Sequence, residues 1–227
     1  MSDHIKRLAA PKSWPISRKS SVFVTKPYPS GHSQRRCIAV NVLIKEMLAL
    51  ANNTREVKKI LSMNNVLVDG VRRKDIKFPV GVMDTLQIKE TGKCYRISFN
   101  KKGRLVAVEI EKSEVDLKPC KINNKSIYKG KTQLNLSDGR NILVEKDGYK
   151  TGDTVILKLP SQEIKEHLKL AKDACVFLMD GKHIGETGLI TDIIGSKAKY
   201  KLPDGDVVET LSRYVLVIGK EKPSVKV

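Results

Sequence analysis

The sequence predicts an α+β protein of several modules: a basic N-terminal arm, a small helix–helix–strand module, a central β-rich, barrel-like domain and a C-terminal small β-barrel. Three observations predict it. Val40, Leu43, Ile44, Met47, Leu48 and Ala51 recur at the spacing of one helix face. From residue 92 onward the pattern changes to short apolar runs separated by Asn-, Asp- and Gly-containing turns. The 227 residues are 40% hydrophobic but only 5% aromatic, enough for small cores and thin for one large one.

Charge narrows the function. The chain carries 43 Lys+Arg against 25 Asp+Glu, a formal net charge of +18. A chain this basic is drawn to polyanions, and nucleic acid outranks a membrane surface because no basic amphipathic helix has a bulky aromatic face. No apolar run is long enough to span a bilayer, and the first seven residues lack the apolar stretch of a signal peptide. A cytoplasmic protein is expected. Cys37, Cys94, Cys120 and Cys175 lie far apart without a CxxC, so they read as buried small hydrophobes.

Residues 1–39 form the arm. Residues 1–40 carry a charge of +7, and the arm holds prolines 11, 15, 27 and 29 without a sustained period. Such a segment does not fold by itself, and residues 1–36 are expected to be disordered in the free protein. A solubilising tail would share this composition. An arm that orders on a phosphate backbone fits better, because Ile5, Leu8, Trp14, Ile16, Val22 and Phe23 interleave with the cations. Lys6, Arg7, Lys12, Trp14, Arg35 and Arg36 are its candidate nucleic-acid contacts.

Residues 40–91 form the helical module. Asn52-Asn53 interrupts the first apolar stripe, and Asn53 with Glu56 approximates a capping box. The helix that follows, over 54–63, buries Val57, Ile60 and Leu61 and turns Arg55, Lys58, Lys59 and Ser62 outward. A strand over 66–71 runs into the Asp69-Gly70 turn, with Arg72, Arg73 and Lys74 directly after it, and 84–88 alternates as a second strand. A positive helix face beside a positive turn makes an L-shaped groove suited to a phosphate backbone. Thr54, Arg55, Lys58, Lys59, Arg72, Arg73 and Lys74 are its candidate contacts.

Residues 92–173 form the central β-rich domain, with strands expected at 95–99, 105–111, 118–122, 133–136, 141–144 and 154–159. Residues 161–170 read as a helical turn or linker. Residues 174–219 form the C-terminal barrel, with strands at 175–179, 189–194, 198–202, 207–210 and 214–218, and 220–227 is a polar tail. Asp-Gly pairs begin at 69, 138, 147, 180 and 204 at unequal spacings, so they are hairpin turns and not a repeat.

Reactive constellations are lacking. There is no GxGxxG, GxxxxGK[ST], HExxH or GxSxG. His4, His32, His167 and His183 are scattered, which does not suit metal ligation. Glu109 and Glu111 alternate on one strand as exposed residues. No catalysis, cofactor, metal or small-molecule substrate is expected.

The segment Thr54-Arg55-Glu56-Val57-Lys58-Lys59-Ile60, with Val66-Leu67-Val68-Asp69-Gly70 and Asp84-Thr85-Leu86, resembles the alpha-L RNA-binding motif. Residues 176–202, with Gly181, Gly185, Gly188 and Leu189-Ile190-Thr191-Asp192-Ile193, resemble a KOW motif. Residues 4–14 (His4 through Trp14), 72–84 and 211–220 look like the eukaryotic and archaeal small-subunit ribosomal protein of the S-four-e family. That resemblance runs end to end. The chain stops soon after Gly219-Lys220, as in the shorter, archaeal form. It implies a structural constituent of the small ribosomal subunit, partnered by its ribosomal RNA and neighbouring ribosomal proteins. The alternative is a free RNA-binding or RNA-modifying factor that docks through the alpha-L motif. Pseudouridine synthases of that kind place an aspartate after Gly-Arg-Leu, whereas Gly103-Arg104-Leu105 is followed here by Val106.

Overall fold

The structure, a computed structural model, describes residues 3–63, 66–145, 147–203 and 205–227. The chain divides into two compact units, Met1–Phe99 with Gly103–Asp116 and Asn100–Lys102 with Leu117–Val227.

In the first unit, β1 (His4–Lys6) pairs antiparallel with β2 (Phe23–Thr25). Then β3 (Cys37–Ala39) leads into α1 (Val40–Val42), which continues as a π-helical turn over Leu43–Met47. The expected helix over 40–51 therefore ends early. The Leu48 N–H reaches back to the Leu43 carbonyl at 3.0 Å, and Ala49 adopts φ +51. Its apolar stripe survives the change, because Val40, Leu43 and Ile44 are fully buried.

Helix α2 (Thr54–Ser62) starts where its cap dictates. The Glu56 N–H donates to Asn53 Oδ1 at 3.0 Å, and the Glu56 carboxylate accepts from the Asn52 N–H at 2.7 Å. Val57 and Leu61 are fully buried beneath it. Strands β4 (Val66–Val68), β5 (Val71–Arg72), β6 (Pro79–Gly81), β7 (Thr85–Ile88), β8 (Lys93–Phe99) and β9 (Leu105–Ile110) follow. They form a five-stranded sheet of order β5-β4-β7-β8-β9, with β6 paired to β3. Asp69 and Gly70 make the β4–β5 turn with φ of +52 and +73, and the Asp69 carboxylate accepts from the Thr85 N–H at 3.0 Å.

Residues 93–110 thus continue the sheet of the helical module, whereas sequence patterning groups them with the strands beyond 117. The register places Lys93 opposite Ile88, so β8 is the return strand of a hairpin from β7. Cys94, Ile110 and Val115 close a small core in this unit.

The second unit holds β10 (Leu117–Tyr128), β11 (Lys131–Leu136), β12 (Asn141–Val144), β13 (Thr154–Lys158) and β14 (Glu163–Leu168), in sheet order β12-β11-β10-β13-β14. A second sheet, ordered β18-β17-β16-β15-β19, is built from β15 (Cys175–Leu178), β16 (Thr187–Ile194), β17 (Lys197–Lys201), β18 (Val207–Leu211) and β19 (Val215–Gly219). Ile156 and Leu168 of the first sheet share one core with Val176, Ile190, Tyr200 and Val217 of the second. The two sheets therefore form one unit without a break at 173. The stretch expected as a helical turn or linker is strand β14, bulged against β13 between Ile156 and Leu157. Asp204, expected in a hairpin turn, lies outside the described residues.

Buried ammonium groups lace this unit. Lys121 Nζ donates to the carbonyls of Ser212, Arg213 and Val215 at 2.8, 3.0 and 2.7 Å. Lys118 Nζ lies 3.2 Å from the buried Asp138 carboxylate, which Arg140 Nε also approaches at 3.3 Å. Burial by itself would raise the Asp138 carboxyl, but Lys118 and Arg140 outweigh it and hold the group below the ordinary value.

Two outcomes follow from these contacts. A Cβ on Gly188 would sit 2.6 Å from the Lys201 carbonyl oxygen and 2.8 Å from the Tyr200 ring, so the backbone must shift. Gly188→Ala should cost about 1–3 kcal/mol in urea unfolding, while Gly148→Ala, in open space, stays within about 0.5 kcal/mol. Asp138→Asn removes the charge beside Lys118 and should cost about 3–5 kcal/mol near neutrality. A carboxyl held low when folded stabilises above its unfolded pKa of about 4, and that stability is lost as pH falls through the folded value. The gap between wild type and variant should therefore hold from about pH 7 down to about pH 4 and narrow below that. A gap that stays constant would contradict the pairing.

Candidate nucleic-acid interface

The outer face of α2 presents Arg55, Lys58 and Lys59 to solvent, opposite the buried Val57 and Leu61. Because the apolar side is locked, the three cations have a fixed bearing. Arg72 donates from Nη2 to the Ser62 carbonyl at 2.9 Å, at the helix end where a cation is favoured. That bond fixes the start of the basic turn beside the end of α2. The Arg73 guanidinium lies 4.2 Å from the centroid of the Phe78 ring, and Lys74 is exposed. The structure thus gathers Arg55, Lys58, Lys59 and Arg72 around one helix, with Arg72 and Arg73 half-buried against protein.

The arm differs from its expectation. Its residues from 3 onward are packed, not loose. Trp14 is 2% exposed, and its indole N–H donates to the Cys37 and Gln34 carbonyls at 2.9 and 3.2 Å. Arg7 is buried as well, donating to Glu46 Oε2 at 3.0 Å and to the Ser17 carbonyl at 2.7 Å, with its other Nη on Glu46 Oε1. Arg18 holds the intervening loop through the Ala10 and Pro11 carbonyls at 2.9 and 2.8 Å. The Leu105 N–H donates to the Ser13 carbonyl at 2.8 Å, tying the arm to β9. Trp14 therefore offers no surface to a ligand, and the guanidinium of Arg7 is committed to Glu46 and the Ser17 carbonyl. Lys6, Lys12 and Arg35 are exposed, and Arg36 is half-buried.

Packing of the arm creates a feature that the sequence reading missed. The β1–β2 ribbon, α1 with its π turn and the start of α2 together line an open depression of about 450 Å³. Phe23, Thr25, Asn41, Lys45, Thr54 and Lys58 are among its lining residues. Thr54 sits in it half-buried, near the Asn41 amide at 3.5 Å. One signal for it is legible in retrospect: Asn41 is a polar residue inside the run Val40–Ile44, and it is buried.

Reactive groups are quiet. Burial pushes the Cys37 thiol up to about 11 and raises Cys94 and Cys175 as well, which keeps all three protonated near neutrality. His32, His167 and His183 each face one carboxylate, on Asp84, Asp153 and Glu186. Among the described residues no group of His, Cys, Asp or Glu is placed to hold a metal ion, and no helix is long and apolar enough to cross a membrane.

Fold and surface together define a basic, β-rich scaffold protein with a fixed cationic helix face. A family model described as Ribosomal family S4e matches residues 91–164, and one described as RS4NT (NUC023) domain matches residues 1–35. The small ribosomal subunit protein eS4 of Methanocella arvoryzae is 42% identical over 231 aligned positions, covering 99% of this chain and 97% of that protein. Its namesake from Methanocaldococcus jannaschii is 38% identical over 237 positions, covering 98% of this chain and 96% of its own length. The crystal structure of the 30S ribosomal protein S4e from Thermoplasma acidophilum matches with a TM-score of 0.72 at 30% identity, covering 83% of this chain and 98% of that one. The chain belongs to the S4e family of ribosomal proteins, and its role is that of a structural ribosomal component and not of an enzyme.

The buried Arg7–Glu46 pair yields a direct test. Glu46→Gln removes the charge that compensates a buried guanidinium and should cost about 3–5 kcal/mol in urea unfolding. Glu145→Gln, at an exposed pair with Lys131, should leave the midpoint unchanged.

Proposed function

We propose that this chain is a structural constituent of the small ribosomal subunit that binds ribosomal RNA through its first unit, with neighbouring ribosomal proteins as its other partners. The observation that carries this reading is the exposed trio Arg55, Lys58 and Lys59 on a helix whose other face is fully buried. Rigid cations release counterions from a phosphate backbone without first having to be ordered. Lys74 extends the positive surface past the end of α2, and Lys6, Lys12, Arg35 and Arg36 extend it along the arm. Arg72 and Arg73 orient the turn, while Arg7 and Trp14 support the arm from within.

The capped helix, the Asp69-Gly70 turn and the β4–β7 pairing support reading residues 40–91 as an alpha-L module. Gly181 and Gly185 at φ of +92 and +82, with the close approach at Gly188, support a KOW-type reading of β15–β17. A cytoplasmic location goes with a ribosomal role. Membership of a ribosomal family does not favour the alternative of a free RNA-binding or RNA-modifying factor.

Replacing Arg55, Lys58 and Lys59 together by alanine should lower the log–log salt slope of binding to a small-subunit RNA transcript by about 2–3, since each phosphate contact contributes about 0.7–0.9. The exposed trio Lys199, Lys201 and Lys220 serves as the control for lost net charge. Equal losses from both trios would rule out α2 as the principal RNA contact.

A further inference from the structure

We propose that the depression beside the β1–β2 ribbon receives one unstacked nucleotide of the bound RNA, with its base against Phe23. This rests on the RNA-binding reading above and adds to it a recognition site. At about 450 Å³ the depression falls within the range of roughly 300–1,000 Å³ that holds small organic groups.

One wall is a preformed stacking surface. Phe23 is 51% exposed, yet its ring is held by His4 at a centroid distance of 4.5 Å and an interplanar angle of 67°. An oriented, half-exposed phenylalanine in a cationic setting is what an extruded base stacks on. The polar groups fit the same occupant. Asn41 is 3% exposed and donates from its amide nitrogen to Thr25 Oγ1 at 2.7 Å, while its Oδ1 has no hydrogen-bond partner among the described residues. A buried amide oxygen left unmatched costs about 1–3 kcal/mol, so its presence beside a cavity points to a missing donor such as a base amino group. The hydroxyls of Thr25 and Thr54 lie next to that amide and can donate to ring nitrogens or carbonyls.

Charge selects the same chemistry. Two acids line the depression, but Asp3 pairs with Lys77 at 2.8 Å and Glu46 with Arg7. Lys45 and Lys58 are left to meet the phosphates on either side of the base. Lys58 also belongs to the exposed face of α2, so a strand tracking that face reaches the depression without a break.

The test uses the full chain on a small-subunit ribosomal RNA transcript. Ultraviolet crosslinking followed by digestion and mass spectrometry should place a nucleotide adduct on Phe23. Phe23→Ala should abolish the adduct and weaken binding about tenfold with an unchanged salt slope, because stacking is lost and no charge is. Phe23→Trp should keep both the adduct and the affinity. The half-exposed ring makes Phe23→Ala compatible with folding, and a thermal unfolding curve confirms it. Wild-type affinity in a folded Phe23→Ala protein overturns the proposal, as does a nucleotide adduct that maps elsewhere in the chain and leaves Phe23 unmodified. Tight binding of adenosine monophosphate alone assigns the depression to a free nucleotide and overturns it too. Those results leave the α2 contact standing. Failure of the wild type to bind the transcript in a salt-dependent way removes both readings.

Discussion

Arg7 and Glu46 remove each other's charge from solvent, and the surface of the first unit depends on that closure. Arg7 lies in a short 3-10 turn directly after β1, and Glu46 lies in the π turn that extends α1. Their side chains are 6% and 15% exposed. Two ions so buried are tolerated only when geometry and extra hydrogen bonds offset their desolvation. Here the guanidinium meets both carboxylate oxygens and the Ser17 carbonyl. The pair sets where the β1–β2 ribbon lies beside α1, and so where Lys6, Phe23 and the depression are. A segment with no core of its own acquires a fixed position through side-chain bonds to distant groups.

The same chemistry revises what net charge means in this protein. A formal +18 counts cations that never meet solvent. Arg96 is fully buried, with its guanidinium 3.2 Å from a Glu114 carboxylate oxygen and 3.0 Å from the Glu114 carbonyl. Burial pulls this guanidinium down, and Glu114 opposes the shift. Lys118 and Lys121 do for the second unit what Arg7 does for the first, joining strands that are far apart in sequence. The positive surface is therefore narrower than the composition suggests and concentrates on elements such as α2, where one face is apolar and the other carries Arg55, Lys58 and Lys59.

Legibility in the sequence follows locality. Helix α2 was readable because its cap, its apolar stripe and its cationic stripe all lie within ten residues of one another. Most strands were readable because alternation and Asp-Gly turns are local signals. The arm was not, since Trp14 is satisfied by carbonyls at 34 and 37 and Arg18 by the loop before it, and neither bond leaves a period. Residues 161–170 read as a helical turn or linker because Ile164 and Leu168 stand four apart, as on one helix face, whereas the bulge in β14 sends the two side chains to different cores. Strand β10 was read short because its distal half, past Ile122, is largely exposed and polar. Arg7 and Trp14 were assigned to RNA because composition counts residue types and is blind to pairing. Patterning misses the depression because residues from 3 to 77 meet in it across five segments.

The arm is fixed before any partner arrives, so the cationic face of the first unit is preformed. Hydrogen exchange on the free chain tests this. The amide of Arg7, bonded to the Val22 carbonyl, the amide of Lys26, bonded to Asp3, and the Trp14 indole N–H should be protected. Their protection should approach that of the β7–β8 amides. Exchange of these arm groups at unstructured-chain rates, with the sheet still protected, would contradict the account.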